Sequence, residues 1–223
     1  MHYLDGGIKM KEYDKFIFDL DYTILIPDWS KEDDYLQAHI PKEQQEEFFQ
    51  KKQDILNEFE LTHPKYDLKA LSDFFGEFNL DVSEEVIRGW MLHNGETIID
   101  EVPDGVIDLF KYLKATGKKI VILTSWFGAT QVPRLKRAGL SEYIDQMVAG
   151  DDAMKPSPES FALAIGDTPK EKCLMVGDSI KSDKMGAERV GIDCYIVGNG
   201  QSIRDLYNKI VSPKLNDKAE KAL

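Results

Sequence analysis

Apolar residues recur at helical spacing through one internal part of the chain. The stretches EEFFQKKQDILNEFEL, DLKALSDFFGEFNL and SEEVIRGWML each repeat apolar positions at intervals of three or four residues. The last stretch begins with Ser83, a residue type that often precedes the first turn of a helix. This part of the chain is therefore predicted to be helical.

Outside that part, short apolar runs alternate with helical patterns. Four runs are typical of strands buried on both faces: KFIFDLD, KKIVILTS, EKCLMVGD and DCYIVG. Helical patterns precede or follow them: PDGVIDLFKYLKATG, GATQVPRLKRAGL (bent or started by Pro133), SPESFALAIG, IKSDKMGAERVG and QSIRDLYNKIV. Strands separated by helices of this length predict an α/β fold with a doubly wound parallel sheet of the Rossmann-like type.

The first strand can join this sheet only if the helical part is an insertion. We therefore predict an α/β core from residues 1–24 and 99–223 and a smaller α-helical domain from residues 25–98. The 223 residues, 42% of them hydrophobic, suffice for one sizeable core plus such an insertion. Met1 and Met10 are both possible starting residues.

Acidic residues dominate the charge of the chain. The net charge is −12, and residues 27–97 contain seventeen acidic against seven basic side chains. An excess of negative charge disfavours binding to nucleic acid or to anionic membranes. No run of about 18 apolar residues predicts a membrane span, and MHYLDGGIKMKEYDK lacks the apolar region of a signal peptide. We therefore expect a cytoplasmic protein without nucleic-acid or membrane partners.

Polar residues follow several of the predicted strands. Ligands of such sheets bind at the carboxyl ends of the strands, where this chain carries carboxylates and hydroxyls: Asp19 and Asp21, Thr124 and Ser125, and Asp178 and Asp183. Four carboxylates in one pocket repel each other unless a cation binds. An all-oxygen ligand set suits Mg²⁺. Lys155 and the two hydroxyls would complete a site for a dianion, most simply a phosphate.

The motifs DLDYT, ILTS, KPSPESF and VGDSIKSD follow one another in the chain. In this order they resemble the four motifs of the haloacid dehalogenase superfamily of hydrolases, most of which are phosphatases with an aspartyl nucleophile. The resemblance extends from residue 15 to about residue 197. The predicted helical domain resembles the cap that one subgroup inserts between its first and second motifs.

The resemblance implies a role for each motif residue. Asp19 would be the nucleophile and Asp21 the general acid and base. Thr124 would hold a phosphate oxygen with help from Ser125, and Lys155 would neutralise the nucleophile and the transferring phosphoryl group. Dehalogenases of the superfamily lack the second aspartate, so the presence of Asp21 argues for phosphoester chemistry.

The resemblance also implies a Mg²⁺ site. Its protein ligands would be Asp19, Asp178 and the main-chain carbonyl of Asp21, with Asp183 either a further ligand or a hydrogen-bonding partner. Tyr22 departs from the motif, because the family often has Gly or Asp at that position. Its side chain would either narrow the entrance or pack against the cap.

The resulting hypothesis is a Mg²⁺-dependent phosphatase that hydrolyses a small phosphate monoester through a phospho-aspartate, acting as a monomer or homodimer. A phosphomutase, which returns the phosphoryl group to a reoriented substrate, is the alternative within the same family. Pyrophosphatase or phosphonate chemistry and a non-catalytic phospho-ligand-binding module remain further options. The natural substrate stays open, as does the choice between pocket lining and packing for Trp29, Trp126 and Phe127.

Overall fold

A five-stranded parallel sheet forms the centre of the fold. The structure is a computed structural model that describes the backbone of residues 11–220 and the side chains up to residue 212, so Met1 and Met10 lie outside the described residues. The strand order is β5-β4-β1-β6-β7, with bounds β1 Lys15–Phe18, β4 Lys119–Leu123, β5 Gln146–Val148, β6 Cys173–Gly177 and β7 Asp193–Ile196. Two further strands, β2 (Ile26–Asp28) and β3 (Ile99–Glu101), form a separate antiparallel pair.

Four α-helices lie between β2 and β3. They are α1 (Asp34–His39), α2 (Lys42–Thr62), α3 (Leu68–Glu77) and α4 (Glu84–Thr97). With Phe127 and Met154 of the core they form an aromatic-rich apolar cluster. Helices α2, α3 and α4 agree with the predicted helical periodicity. The Ser83 hydroxyl accepts a hydrogen bond from the Val86 amide, so this residue caps α4 as its sequence position predicts. The predicted domain boundaries stay a prediction. We call residues 25–98 the helical segment.

The remaining helices cover both faces of the sheet. They are α5 (Val106–Ala115), α6 (Gly128–Arg137), α7 (Pro158–Ile165), α8 (Met185–Val190) and α9 (Ile203–Glu220). Side chains along β1 alternate between the faces: Phe16 and Phe18 pack with α5 and α9, and Ile17 packs with α7 and α8. This arrangement confirms the predicted α/β doubly wound fold.

The position of β1 decides where a ligand site can form. β1 pairs with β4 on one side and with β6 on the other, so the chain connections diverge at this strand. In a doubly wound sheet, the crevice at such a switch point opens at the carboxyl ends of the strands. The residues that follow β1, β4 and β6 therefore share one crevice.

The helical segment contacts the core mainly through α4 and α6. The Thr130 hydroxyl donates to the Met91 carbonyl at 3.0 Å, and Arg137 donates to the carbonyls of Gly95 and Ile98 at 2.6 and 2.8 Å. Gly95 makes this close approach possible, because a Cβ there would lie 3.1 Å from the Ala129 carbonyl oxygen. The contact between α4 and α6 thus attaches the helical segment to the α/β core.

Several short elements differ from the sequence predictions. β2, β3 and β5 were not predicted, because three residues are too few to show a period. The six-residue helix α1 was not predicted either. α6 begins at Gly128, so Pro133 lies inside the helix and does not start it. The helix predicted from residue 180 begins with a π-helical turn, Ile180–Lys184, before α8. None of the helices in the described part of the chain combines the length and the apolar character that a membrane span requires.

Asp145 joins β4 to the segment that precedes β5, and its replacement tests the contribution of that link. Partial burial opposes its charge, but hydrogen bonds from the Ile120 amide at 2.9 Å and from Lys114 and Lys119 outweigh this and lower its pKa. Asp145→Asn should therefore reduce the free energy of unfolding at pH 7 by about 1–3 kcal/mol, measured by urea denaturation.

The pH dependence gives a second check on Asp145. A carboxylate with a lowered pKa stabilises the fold above its unfolded pKa of about 3.9, and this stabilisation is lost as the pH falls through the folded pKa. The difference between wild type and Asp145→Asn should thus shrink below about pH 4. Asp167→Asn, at an exposed position, should show little difference at any pH. An Asp145→Asn effect that is constant from pH 7 to pH 3 would contradict the assignment.

Candidate active site

The crevice at the switch point collects the predicted site residues. Asp19 follows β1, Thr124 follows β4 and Asp178 follows β6. Lys155 comes from the loop before α7, and Asp183 comes from the π-helical turn before α8. Asp19, Thr124, Lys155 and Asp183 are all at least nine-tenths buried, so these polar groups depend on each other for hydrogen bonds.

Lys155 is the centre of the hydrogen bonding in the crevice. Its ammonium group donates to Asp19 Oδ1 and, at 2.7 Å, to Asp183 Oδ1. Burial works against the charged form of Lys155, but the two carboxylates outweigh it and raise the pKa of the ammonium group. Lys155 therefore stays protonated and forms charge-assisted hydrogen bonds with both aspartates.

Three carboxylates form an acidic cluster beside Lys155. Oxygens of Asp19, Asp178 and Asp183 all lie within 4.8 Å of one another. Burial, together with the charges of Asp183 and Asp21, raises the pKa of Asp19 although Lys155 opposes the shift. Burial and Asp183 also raise the pKa of Asp178. Such a cluster carries more negative charge than one lysine balances, and its oxygens suit a hard divalent cation such as Mg²⁺.

Asp183 belongs to both the hydrogen-bond network and the acidic cluster. Besides bonding to Lys155, its Oδ2 accepts a hydrogen bond from the Ser179 amide at 3.0 Å. The side chain is fully buried against Gly177, the last residue of β6, and a Cβ on this glycine would lie 2.2 Å from Asp183 Oδ2. The VGD sequence at the end of β6 thus leaves the space that Asp183 occupies.

Asp21 faces a different set of partners from Asp19. Its Oδ1 accepts a hydrogen bond from Arg134 Nη2 at 2.6 Å, and its Oδ2 accepts one from Gln131 Nε2 at 3.3 Å. The same Gln131 amide donates to the Thr124 hydroxyl oxygen at 3.1 Å. Gln131 therefore links the two predicted site residues Asp21 and Thr124. Ser125 follows Thr124 in the same loop and is half-buried.

Four residues of the site were missed by sequence reasoning. The Thr23 hydroxyl donates to Asp19 Oδ2 at 3.2 Å, so both carboxylate oxygens of Asp19 are held by donors. Thr23 stands inside the first motif, two residues beyond Asp21, and this position was the available signal. The other three are polar residues of α6 and β3 without a motif: Gln131, Arg134 and Asp100.

Tyr22 has a backbone conformation that explains its unusual position in the motif. Its φ is 59°, in the left-handed region where Gly, Asn and Asp are the more favourable residues. The side chain is half-exposed, and its hydroxyl accepts a hydrogen bond from Trp29 Nε1 at 2.9 Å. Tyr22 therefore contacts Trp29, near the point where the chain enters the helical segment.

The aromatic residues after β4 pack against the helical segment. Phe127 is buried, and its ring centroid lies 4.9 Å from that of Tyr66. Trp126 lies edge-on to Tyr66 and Trp90 at 4.9 and 5.3 Å. The Tyr66 amide also donates to the Gly150 carbonyl at 2.8 Å. Of the two predicted roles for Trp126 and Phe127, these contacts favour packing.

Comparison with known proteins identifies the class of this chain. Residues 13–191 match the haloacid dehalogenase-like hydrolase family, and the chain belongs to that family. It is 31% identical to pyrophosphatase PpaX of Halalkalibacterium halodurans over 65% of this chain and 74% of the relative. Pyrimidine 5′-nucleotidase YjjG of Escherichia coli is 33% identical over 40% of this chain, a match that spans 41% of the nucleotidase.

A solved structure agrees with this placement. The hydrolase YfnB from Bacillus subtilis superposes with a TM-score of 0.60 at 22% identity, over 92% of this chain and all of the other, which shows a shared fold. The family and the phosphatase relatives support a phosphatase activity for this hydrolase. They confirm the predicted family and enzyme class.

Gly177 offers a test of how tightly the site is packed. Gly177→Ala would place a methyl group on Asp183 and displace its carboxylate from Lys155 and Ser179. We expect the free energy of unfolding to fall by about 1–3 kcal/mol, measured by urea denaturation. Gly76→Ala in α3 is the matched control, since no described atom beyond its chain neighbours and the adjacent helix backbone lies within 4 Å of its Cβ position. The control should be neutral or slightly stabilising. Equal stability of Gly177→Ala and wild type would contradict this packing.

Proposed function

We propose that this protein is a Mg²⁺-dependent phosphatase that hydrolyses a small phosphate monoester through a phospho-aspartate on Asp19. The observation that carries the proposal is the placement of Lys155 between Asp19 and Asp183, beside the acidic cluster with Asp178. This arrangement supplies an oriented carboxylate nucleophile, a fixed positive charge and a set of oxygens for a divalent cation.

Mg²⁺ would be held by Asp19, Asp178 and the Asp21 carbonyl, with Asp183 as a ligand or as a partner of Lys155. When bound, it would neutralise charge on the phosphoryl oxygens and lower the pKa values of the clustered carboxylates. The surplus negative charge of the cluster supports this assignment, because burial and mutual repulsion raise the pKa values of Asp19 and Asp178.

In the first step, an oxygen of Asp19 attacks the phosphorus atom of the substrate. The bond between phosphorus and the leaving oxygen breaks, and that oxygen takes a proton from Asp21. Lys155 stabilises the charge on the transferring group, and Thr124 holds one of its oxygens. Thr23 and Lys155 each bind one oxygen of Asp19, which limits the orientations of the nucleophile and favours attack.

In the second step, water attacks the phosphorus atom of the phospho-aspartate. Asp21 takes a proton from the water, the bond between phosphorus and Asp19 breaks, and phosphate leaves. The carboxylate of Asp19 is regenerated, so no further reactant is required. Dividing hydrolysis into two displacements is the advantage of a covalent nucleophile, and phosphoryl transfer itself depends mainly on alignment and charge neutralisation.

The alternatives differ in the fate of the phosphoryl group. A phosphomutase would return it to the substrate, and a non-catalytic module would bind the ligand without turnover. The intact set of Asp19, Asp21, Lys155 and Asp178 supports catalysis. Pyrophosphate is a candidate substrate because one relative is a pyrophosphatase. We further propose a cytoplasmic monomer or homodimer without nucleic-acid or membrane partners, in line with the net charge of −12.

The proposal predicts phosphate release that requires both the metal and Asp19. Release should be measured from a sugar phosphate, a nucleoside monophosphate, an aryl phosphate and pyrophosphate, with Mg²⁺ or with EDTA. We expect Asp19→Asn to lower kcat by at least about 10³-fold, since a removed nucleophile cannot form the intermediate. EDTA should abolish release by the wild type.

Asp14→Asn is the matched control, because Asp14 precedes the same strand and its exposed side chain is ion-paired with Lys118 outside the crevice. It should keep wild-type rates. Wild-type rates in Asp19→Asn would refute the nucleophile. Binding of Mg²⁺ and phosphate without release from any substrate would favour a binding module, and an isomerised product seen by phosphorus NMR would favour a mutase.

Asp21→Asn should separate substrates by their leaving groups. An alkyl phosphate needs a proton on its leaving oxygen, whereas an aryl phosphate with an acidic phenol needs little help. General acid catalysis typically contributes about 10²- to 10⁴-fold, so kcat/KM should fall by about that factor for the alkyl ester and much less for the aryl ester. Equal losses for both esters would show that Asp21 does not protonate the leaving group.

A further inference from the structure

Arg134 is a fully buried charge that the proposed mechanism does not use. It lies in α6 with none of its side chain exposed. Nη2 donates to Asp21 Oδ1 at 2.6 Å and to Asp100 Oδ1 at 2.6 Å, and Nε donates to Asp100 Oδ2 at 3.0 Å. Nη1 donates to Gln131 Oε1 at 2.6 Å. The planar guanidinium thus holds Asp21 and Asp100 in one fixed geometry.

Gln131 extends this geometry to the phosphate side of the crevice. Its carbonyl oxygen is taken by Arg134, which leaves its amide group pointing at Asp21 and Thr124. Arg134 therefore acts on Asp21 twice, through a direct ion pair and through the orientation of the Gln131 amide. The remaining freedom of the Asp21 carboxylate is small.

Asp100 connects the same arginine to the chain that enters and leaves the helical segment. It lies in β3 opposite Pro27 of β2, and its side chain is only 5% exposed. We call residues 26–29 and 99–101, where the chain enters and leaves the helical segment, its two linkers. On the first linker, the Trp29 ring centroid lies 5.4 Å from the Arg134 guanidinium carbon. Both linkers therefore contact the group that holds Asp21.

We propose that Arg134 is a positioning residue for Asp21. We further propose that, through Asp100, this positioning depends on where the linkers of the helical segment lie relative to Arg134. The inference rests on the proposed function, in which Asp21 protonates the leaving oxygen. Arg134 itself does not touch the reacting atoms. If the linkers shift, Arg134 loses a partner and the carboxylate of Asp21 loses its fixed orientation.

The test compares kcat/KM for an alkyl and an aryl phosphate, because this constant reports the first displacement, in which Asp21 acts as the acid. Arg134→Lys keeps the charge but cannot bind Asp21 and Asp100 with a rigid fork. We expect its kcat/KM to fall at least about tenfold more for the alkyl ester than for the aryl ester. A purely structural defect would lower both values by the same factor.

Arg137→Lys is the matched control. Arg137 lies on the same helix and bonds to carbonyls of the helical segment, but not to Asp21, so the alkyl-to-aryl ratio should stay at the wild-type value. Asp100→Asn provides a second variant if Arg134→Lys does not fold, and it should shift the ratio in the same direction. In an Asp21→Asn background, Arg134→Lys should have no further effect on the ratio.

The outcomes distinguish this inference from the proposed function. Absence of release that depends on Mg²⁺ and Asp19 in the wild type would reject the function itself. If that release is present, equal losses for both esters in Arg134→Lys or Asp100→Asn would overturn only the positioning role. An alkyl-to-aryl ratio that shifts as much in Arg137→Lys would also overturn the positioning role. The contact between α6 and the helical segment would then explain the effect without Asp21.

Discussion

The ion pairing of Lys155 is the interaction on which the rest of the site depends. Oxygens of three aspartates lie within 4.8 Å of one another in a crevice where most of the polar groups are buried. A single ammonium group binds Asp19 and Asp183 and offsets part of this charge. The remainder raises the pKa values of Asp19 and Asp178. The protein alone therefore leaves a charge imbalance that a divalent cation would correct. In the proposed mechanism, the same imbalance would link metal binding to the activation of Asp19.

The sheet creates this imbalance by its own folding. β1 is buried along its whole length at the switch point, and Asp19 follows it without an intervening turn. The hydrophobic packing that stabilises the strand thus also removes water from the carboxylate. At the end of β6, Gly177 leaves room for Asp183. Local backbone geometry and core packing therefore set the electrostatics of the site, since the same residues determine both.

Sequence patterns predicted the parts of this arrangement that are local in the chain. The apolar runs identified β1, β4, β6 and β7, and the residues that follow β1 and β6 identified the carboxylates. Lys155 was identified from the motif KPSPESF. β5 and the β2–β3 pair were not predicted, because three residues show no measurable period. The role of Arg134 was not predicted for a different reason. Its partner Asp21 is 113 residues away, and the basic helix GATQVPRLKRAGL looks like any amphipathic surface helix. A role that arises from tertiary contacts leaves no local pattern.

Two arginines of this chain show why the burial of Arg134 matters. Arg204 also forms ion pairs with two carboxylates, Asp104 and Asp108. Its side chain is 32% exposed, and those of its partners are more exposed still. Such surface pairs contribute little to the stability of a fold, because solvent screens the charges. Arg134 is fully buried with Asp100, where the loss of hydration offsets most or all of the attraction between the charges. Stability alone does not account for placing the ion pair there. A fixed orientation of Asp21 does, because a rigid guanidinium in a packed interior permits few alternatives.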